Sequence, residues 1–299
     1  MNQQTLNQEY KFEGRGLHTG RYAHICLVPA PENFGIRFLR TDLGVEIPAL
    51  ATNVSRTDRS TTISLGDASV VTIEHLMSAM TGLGVDNVLV KIDNEEVPIL
   101  DGSAECYVRA IAPDGLKVQD AERKYLELSE EVEIRNEQTG SWIKITPADS
   151  FSLELTVDFN SRVLGVQTAS WSENSDYVAQ IAPCRTFCFF HELEYLASMG
   201  LVKGGDVDNA IVIVEHPVSE EQIRNMCKLF GQPLLSVTEQ GYLSNIKLHF
   251  PNECGRHKML DLIGDMRLMG GYPKARISAY KPGHKINSAA AAAAISKLK

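Results

Sequence analysis

Two stretches of the chain share one pattern of apolar and polar positions. In CGRHKMLDLIGDM, Cys254 to Met266, the apolar residues Met259, Ile263 and Met266 recur at helical spacing. His257, Asp261 and Asp265 stand at i, i+4 and i+8 and so share one face of that helix. In TIEHLMSAMTGLGVDNVLVKI, Thr72 to Ile92, Thr72 is suited to cap a helix with Glu74 and His75 in its first turn and Leu76, Met80 and Leu83 as its core stripe. Gly82 and Gly84 stop that helix, and Val88, Val90 and Ile92 then alternate as a strand. The later stretch continues the same way, through Gly270-Gly271 into a strand from Ala275 to Tyr280. A histidine-bearing helix followed by a strand thus occurs once in each half, which suggests a structural internal repeat.

The remaining pattern is strand-rich. Tyr10 to about Leu65 reads as short strands separated by turns, and GRGLHTG places His18 between glycines, as a turn residue or a ligand contact. A second helix is predicted over Ala104 to Ala112, after the Asp101-Gly102-Ser103 turn. Pro113 to Arg123, with its Pro-Asp-Gly and charges, is the candidate boundary, giving domains over 1–121 and 122–299. Strands follow at Tyr125 to Ile134, Ser141 to Thr146 and Ser152 to Asp158. CRTFCFFHELEYLASMG reads as a strand running into a helix closed by Gly200, and Ala210 to Val214 as a buried strand. Ser219 and Gln222 form a capping box, and a Lys-Pro-Gly turn carries His284 on a loop before the alanine run Ala289 to Ala294. Two domains mixing strands with a pair of helices predict α+β architecture.

Composition narrows the class. The 299 residues, 43% hydrophobic and 22% charged, suit a soluble globular protein with a substantial core. A net charge of -9 argues against a general nucleic-acid binder. No apolar run approaches the ~20 residues that cross a bilayer, and the N-terminus lacks a secretory pattern, so a cytoplasmic location is expected. Six cysteines without small-domain spacing are expected to be free thiols; the Cys184–Cys188 pair alone makes a weak metal motif. His191-Glu192 does not extend to a zincin, because Tyr195 stands where a second histidine is required.

If His75, His257 and Asp261 share a cation, two imidazoles and a carboxylate leave room for water, the ligand number of a catalytic zinc. Such an ion lowers the pKa of its water to about 7. Glu74, beside His75, is placed to accept a proton, and His284 can protonate a leaving group, held charged by Asp265. A two-histidine, one-carboxylate iron oxygenase shares the ligand types, though it has no need of Glu74 and His284. A sugar-binding protein with a structural cation, or none, is a third reading.

With these residues assembled, the chain resembles the UDP-3-O-acyl-N-acetylglucosamine deacetylases, zinc amidases of lipid A synthesis. The likeness runs from GRGLHTG through TIEHLMSAMTGLGVDN, VPILDGSA, RTFCF, GGDVDNAIV and RHKMLDLIGDM to GHKIN. It implies two similar α+β domains, each a sheet packed with a pair of helices, in a layered sandwich with the active site at the domain junction. It further implies one Zn2+ per chain on His75, His257 and Asp261, with Glu74 as general base, His284 as general acid and Asp265 orienting it. Thr186 is implied as oxyanion donor, and Phe187, Lys258 and His18 as substrate contacts. The segment from Ser161 to Val207 matches an insert that lines an acyl passage, where Leu193 and Val202 are the candidate contacts. The substrate is the UDP-sugar, the protein is expected to be a monomer, and some relatives continue into a fused dehydratase domain. Cys188 stands where many relatives carry glycine, a change expected to alter the backbone beside Thr186.

Overall fold

The computed structural model describes residues 1–193 and 209–299. Val202 and Gly200 lie outside the described residues. Two five-stranded sheets dominate. The first takes β2 (Tyr10–Arg15), β3 (Tyr22–Pro29), β4 (Ile36–Arg40), β5 (Val45–Pro48) and β9 (Val88–Ile92), in the order β2-β3-β9-β4-β5. The second takes β11 (Val132–Asn136), β12 (Ser141–Pro147), β13 (Ser152–Asp158), β14 (Val166–Ser172) and β17 (Ala275–Tyr280), in the order β11-β12-β17-β13-β14. In both, the last strand in sequence enters the middle, antiparallel to the second strand and parallel to the third. The suspected repeat is therefore real at the level of topology.

In each half a helix precedes that last strand and another follows it: α1 (Glu74–Leu83) and α2 (Glu105–Ile111), then α5 (Glu253–Met266) and α6 (His284–Ile295). The helix α1 packs on α5, α2 on α1, and α6 on α5 and the second sheet. One apolar core runs through both sheets and all four helices, giving a layered sandwich with α1 and α5 at its centre. That position overrides the amphipathic reading of α5. All but Arg256 and Lys258 of its fourteen residues are buried, so the polar face of His257, Asp261 and Asp265 is internal, not a solvated stripe. In α1, every residue from Glu74 to Thr81 is buried.

Between its fourth strand and its first helix each half carries an insertion. The first half inserts the small sheet β6 (Val54–Arg56), β7 (Thr62–Leu65) and β8 (Ala68–Val70). The second inserts α3 (Tyr177–Gln180), the parallel pair β15 (Phe187–Phe189) and β16 (Ile211–Ile213), and α4 (Glu220–Leu229), which starts at the expected Ser219–Gln222 capping box.

Several expectations are corrected. Thr72 does not cap α1: its φ is 59° and its hydroxyl donates to Glu96, while Ile73 takes the capping position. The Tyr125 to Ile134 strand begins only at Val132, because Leu126 and Leu128 make isolated bridges to Pro273 and Leu298 instead. Pro113 to Arg123, the candidate boundary, holds β10 (Leu116–Glu122), which pairs with β1 (Asn2–Leu6). His284 is no loop residue; it opens α6 with Gly283 at the cap. Cys188 pairs with Val212 in the parallel register of β15 and β16. All six cysteines are free, and no helix among the described residues is long and apolar enough to cross a membrane.

Candidate active site

The site forms where α1 crosses α5. At Gly264 the helices approach so closely that a Cβ would overlap the Glu74 carbonyl oxygen and lie 3.1 Å from the Ser78 nitrogen. This approach sets the first turn of α1 against the polar face of α5. His75 Nε2 lies 3.6 Å from Asp261 Oδ1 and His257 Nε2 lies 3.5 Å from the same oxygen. The two rings stand edge to face, centroids 5.0 Å apart. Burial, reinforced by the neighbouring His257 ring, pushes His75 down to about 3, and burial also lowers His257. Both shifts favour the neutral imidazole, the form that can ligate a metal ion. The His257 Nδ1–H donates to the Cys184 carbonyl at 3.1 Å, which leaves the Nε2 lone pair facing Asp261.

Asp261 Oδ1 is buried and has no hydrogen-bond partner among the described residues, while Oδ2 accepts from Lys258 Nζ at 2.7 Å. Burial pushes this carboxyl up, but Lys258 and the imidazoles of His257, His284 and His75 outweigh it and hold Asp261 well below the usual range. A buried carboxylate oxygen 3.6 and 3.5 Å from two imidazole nitrogens, with a hydrogen bond to neither, leaves room between the three for a cation. A tetrahedral ion about 2.0–2.2 Å from each ligand needs ligand atoms roughly 3.2–3.6 Å apart, which matches the two measured separations. His75, His257 and Asp261 can therefore hold a metal ion.

Two titratable groups flank this trio. His284 Nε2 stands 3.8 Å from Glu74 Oε1 and 4.0 Å from Asp261 Oδ2. Burial pushes the Glu74 carboxyl up to about 7, with Asp261 and Asp265 adding to the shift and His284 opposing it. Burial alone would depress His284, but the carboxylates of Asp265, Glu74 and Asp261 raise it to about 9. His284 Nδ1 lies 3.0 Å from Asp265 Oδ2.

A cavity of about 550 Å³ opens from these groups. Thr186, Phe187, Lys258, His18 and Leu193 all line it. The Phe187 ring meets His257 edge-on at 6.2 Å, and Lys258 Nζ lies 5.7 Å from its centroid. Away from the polar end, Leu193, Val212 and Phe230 make an apolar wall continuous with a small core in the second insertion. Thr186 is fixed by its N–H donating to the Gly102 carbonyl at 2.8 Å. Gly102 has φ 79°, and a Cβ there would strike the Asn209 carbonyl, so the Asp-Gly-Ser turn admits only glycine at this point.

Sequence reasoning missed three residues. The Thr61 N–H donates to Glu74 Oε2 at 3.0 Å and its hydroxyl to Asp265 Oδ1 at 2.6 Å, so one buried residue touches both carboxylates. Asn287 donates to Asp265 Oδ2 at 2.9 Å and accepts from the Gly283 N–H. Glu96, 1% exposed, accepts from the His18 loop. No periodicity marks any of them; the one available signal is that Asn287 falls four residues after the glycine that caps α6.

The model of the family described as UDP-3-O-acyl N-acetylglycosamine deacetylase matches residues 3–227 and 232–296. A "Bifunctional enzyme LpxC/FabZ" of Porphyromonas gingivalis is 42% identical over 96% of this chain, and one of Bacteroides thetaiotaomicron is 41% identical over the same share. The chain spans 62% and 63% of the lengths of these two relatives. A "UDP-3-O-acyl-N-acetylglucosamine deacetylase" of Cellvibrio japonicus is 39% identical over 97% of this chain and 89% of its own length. With its matched length covering both helices that build the site, the chain belongs to the UDP-3-O-acyl N-acetylglycosamine deacetylase family.

Proposed function

We propose that the protein is a zinc-dependent amidase acting in lipid A biosynthesis, with one ion per chain. It removes the acetyl group from UDP-3-O-acyl-N-acetylglucosamine to give UDP-3-O-acyl-glucosamine and acetate. The observation that carries this reading is the convergence of His75, His257 and the unpaired Asp261 Oδ1 between a carboxyl raised to about 7 and an imidazole raised to about 9. Zinc on those three residues would supply a Lewis acid that polarises the amide carbonyl and makes water acidic near neutral pH.

The chain's own groups then divide the proton work. Glu74, one oxygen held by the Thr61 N–H and the other facing the cavity, takes a proton from the water that attacks the amide carbon. The Thr186 hydroxyl donates to the oxyanion that develops. His284, charged at neutral pH and held by Asp265, gives its proton to the departing nitrogen, so one proton is taken and one returned as the C–N bond breaks. Lys258 suits the substrate's negative charge while also pairing with Asp261, Phe187 and His18 contact the sugar nucleotide, and Leu193 lies on the acyl path. Val202 belongs to that path in the same reading. The protein is a cytoplasmic monomer with its halves divided near residues 121 and 122.

Metal analysis of the purified protein, joined to an acetate-release assay on the UDP-sugar, tests the reading. Glu74→Ala should keep its zinc and lose about a hundredfold or more in turnover. Near-normal turnover removes Glu74 from its role, and zinc without acetate release favours a sugar-binding module.

A further inference from the structure

We propose that Glu96 is a positioning residue: one buried carboxylate ties the His18 loop to the segment that starts the helix bearing Glu74 and His75, and so fixes where His18 meets the substrate. The identity of that substrate rests on the deacetylase reading above.

Glu96 follows β9 and is 1% exposed. Its Oε1 accepts from the His18 N–H at 2.9 Å and from the Thr72 hydroxyl at 2.9 Å, and its Oε2 accepts from the Thr19 N–H at 2.7 Å. A buried charge is tolerated only where donors meet it, and these donors come from two segments more than fifty residues apart in the chain. Each segment is therefore held to the place the carboxylate occupies.

On the helix side, Thr72 has φ 59°, a left-handed conformation that is an outlier for a β-branched residue, two positions before Glu74. Its hydroxyl bond to Glu96, and the bonds from the Val71 N–H to the Glu95 carbonyl and from the Val97 N–H to the Val71 carbonyl, hold that turn. On the loop side, a Cβ at Gly16 would collide with the Glu96 carboxylate, which accounts for the glycine in GRGLHTG. The loop is closed by the Gly16 N–H to the Arg21 carbonyl and the Gly20 N–H to the Gly16 carbonyl. Its product is the His18 ring on the cavity wall, with Nε2 buried and lacking any hydrogen-bond partner within the described residues.

The test compares zinc-loaded wild type with Glu96→Gln, His18→Ala and the double variant, reading kcat, KM, zinc content and amide exchange over residues 14–21. Glu96→Gln presents an amide N–H to backbone donors. It should raise KM about tenfold, as expected for one lost buried bond to a charged group, with zinc content unchanged and kcat within about threefold. Amide exchange in the loop should accelerate. In the His18→Ala background the same change should add less than about twofold, because its effect passes through His18. Gly16→Ala, which disturbs the contact from the loop without touching the charge, should raise KM in the same way and keeps the test available if Glu96→Gln does not fold. An unchanged KM, or losses that multiply with His18→Ala, overturns the proposal. A wild type that releases no acetate sinks the deacetylase reading instead; loop exchange then decides the anchor by itself, faster in Glu96→Gln if it stands and unchanged if it does not.

Discussion

Alanine at Gly264 would test whether the crossing of the two central helices sets the metal geometry. The new Cβ overlaps the Glu74 carbonyl oxygen and stands 3.0 Å from its carbonyl carbon and 3.1 Å from the Ser78 nitrogen, all backbone atoms. With no flexible side chain to yield, the helices must part by more than about 1 Å to regain ordinary contact near 3.5 Å. Overpacking of this kind costs about 1–3 kcal/mol. Alanine's better helix propensity offsets about 1 kcal/mol of that, leaving a net loss of roughly 0–2 kcal/mol. The site should suffer more than the fold. His75 comes from one helix and His257 and Asp261 from the other, so a shift of about 1 Å is half a zinc–ligand bond of about 2 Å. Zinc affinity should fall about 10–100-fold, the range found when groups that orient ligands are removed. Urea unfolding and competition with a chromogenic chelator measure the two quantities. Unchanged zinc affinity in a folded Gly264→Ala protein would refute the claim that this contact sets the ligand separations.

Two further outcomes follow from the same groups. In the proposed mechanism Glu74 must be ionised to accept a proton, which holds above about 7, and His284 must be protonated to give one, which holds below about 9. The pH profile of kcat/KM should therefore rise through the first value and fall through the second; His284→Ala should lower the rate and flatten the alkaline limb, and a limb that persists belongs to another group. Removing the metal with dipicolinate should abolish acetate release while leaving the far-UV circular dichroism intact, since the core is continuous through both halves without the ligands; loss of that signal would make the ion structural.

The convergence of His75, His257 and Asp261 was legible because each half writes part of the trio into a helix with its own stop and following strand. His75 and His257 could be paired on that layout alone, and the shared sheet topology is its physical cause. What the sequence concealed was environment. The stripe of His257, Asp261 and Asp265 has the spacing of a solvated face, and only packing from both sides makes it internal, with Asp265 at 0% exposure. Thr72 has the composition of a helix cap, yet the Glu96 carboxylate offers its hydroxyl a better partner than the helix does. Pro282-Gly283 reads as a turn and hides the start of α6. Thr61 was beyond reach, because its site contacts are a backbone N–H and a hydroxyl that meets a residue 204 positions away.

The repeat also explains why the site is asymmetric. In both halves a turn joins the last strand or its extension to the last helix and faces the junction, and the two turns carry different residues. In the second half it delivers Gly283 and His284, with Asn287 one helical turn on, bonded to Asp265. In the first half it is Asp101-Gly102-Ser103, which brings no titrating group to the metal trio but holds Thr186 through the Gly102 carbonyl. The insertions divide in the same way: the one ahead of α1 gives Thr61 to the two carboxylates, and the one ahead of α5 gives Thr186 and Phe187 to the cavity. In the proposed reaction, equivalent positions would serve opposite ends: proton delivery from one half, and the wall and oxyanion donor anchored by the other. A change in either turn should disturb only its own end. Replacing Gly102 would be felt at Thr186, while the ligand separations across Gly264 stay as they are.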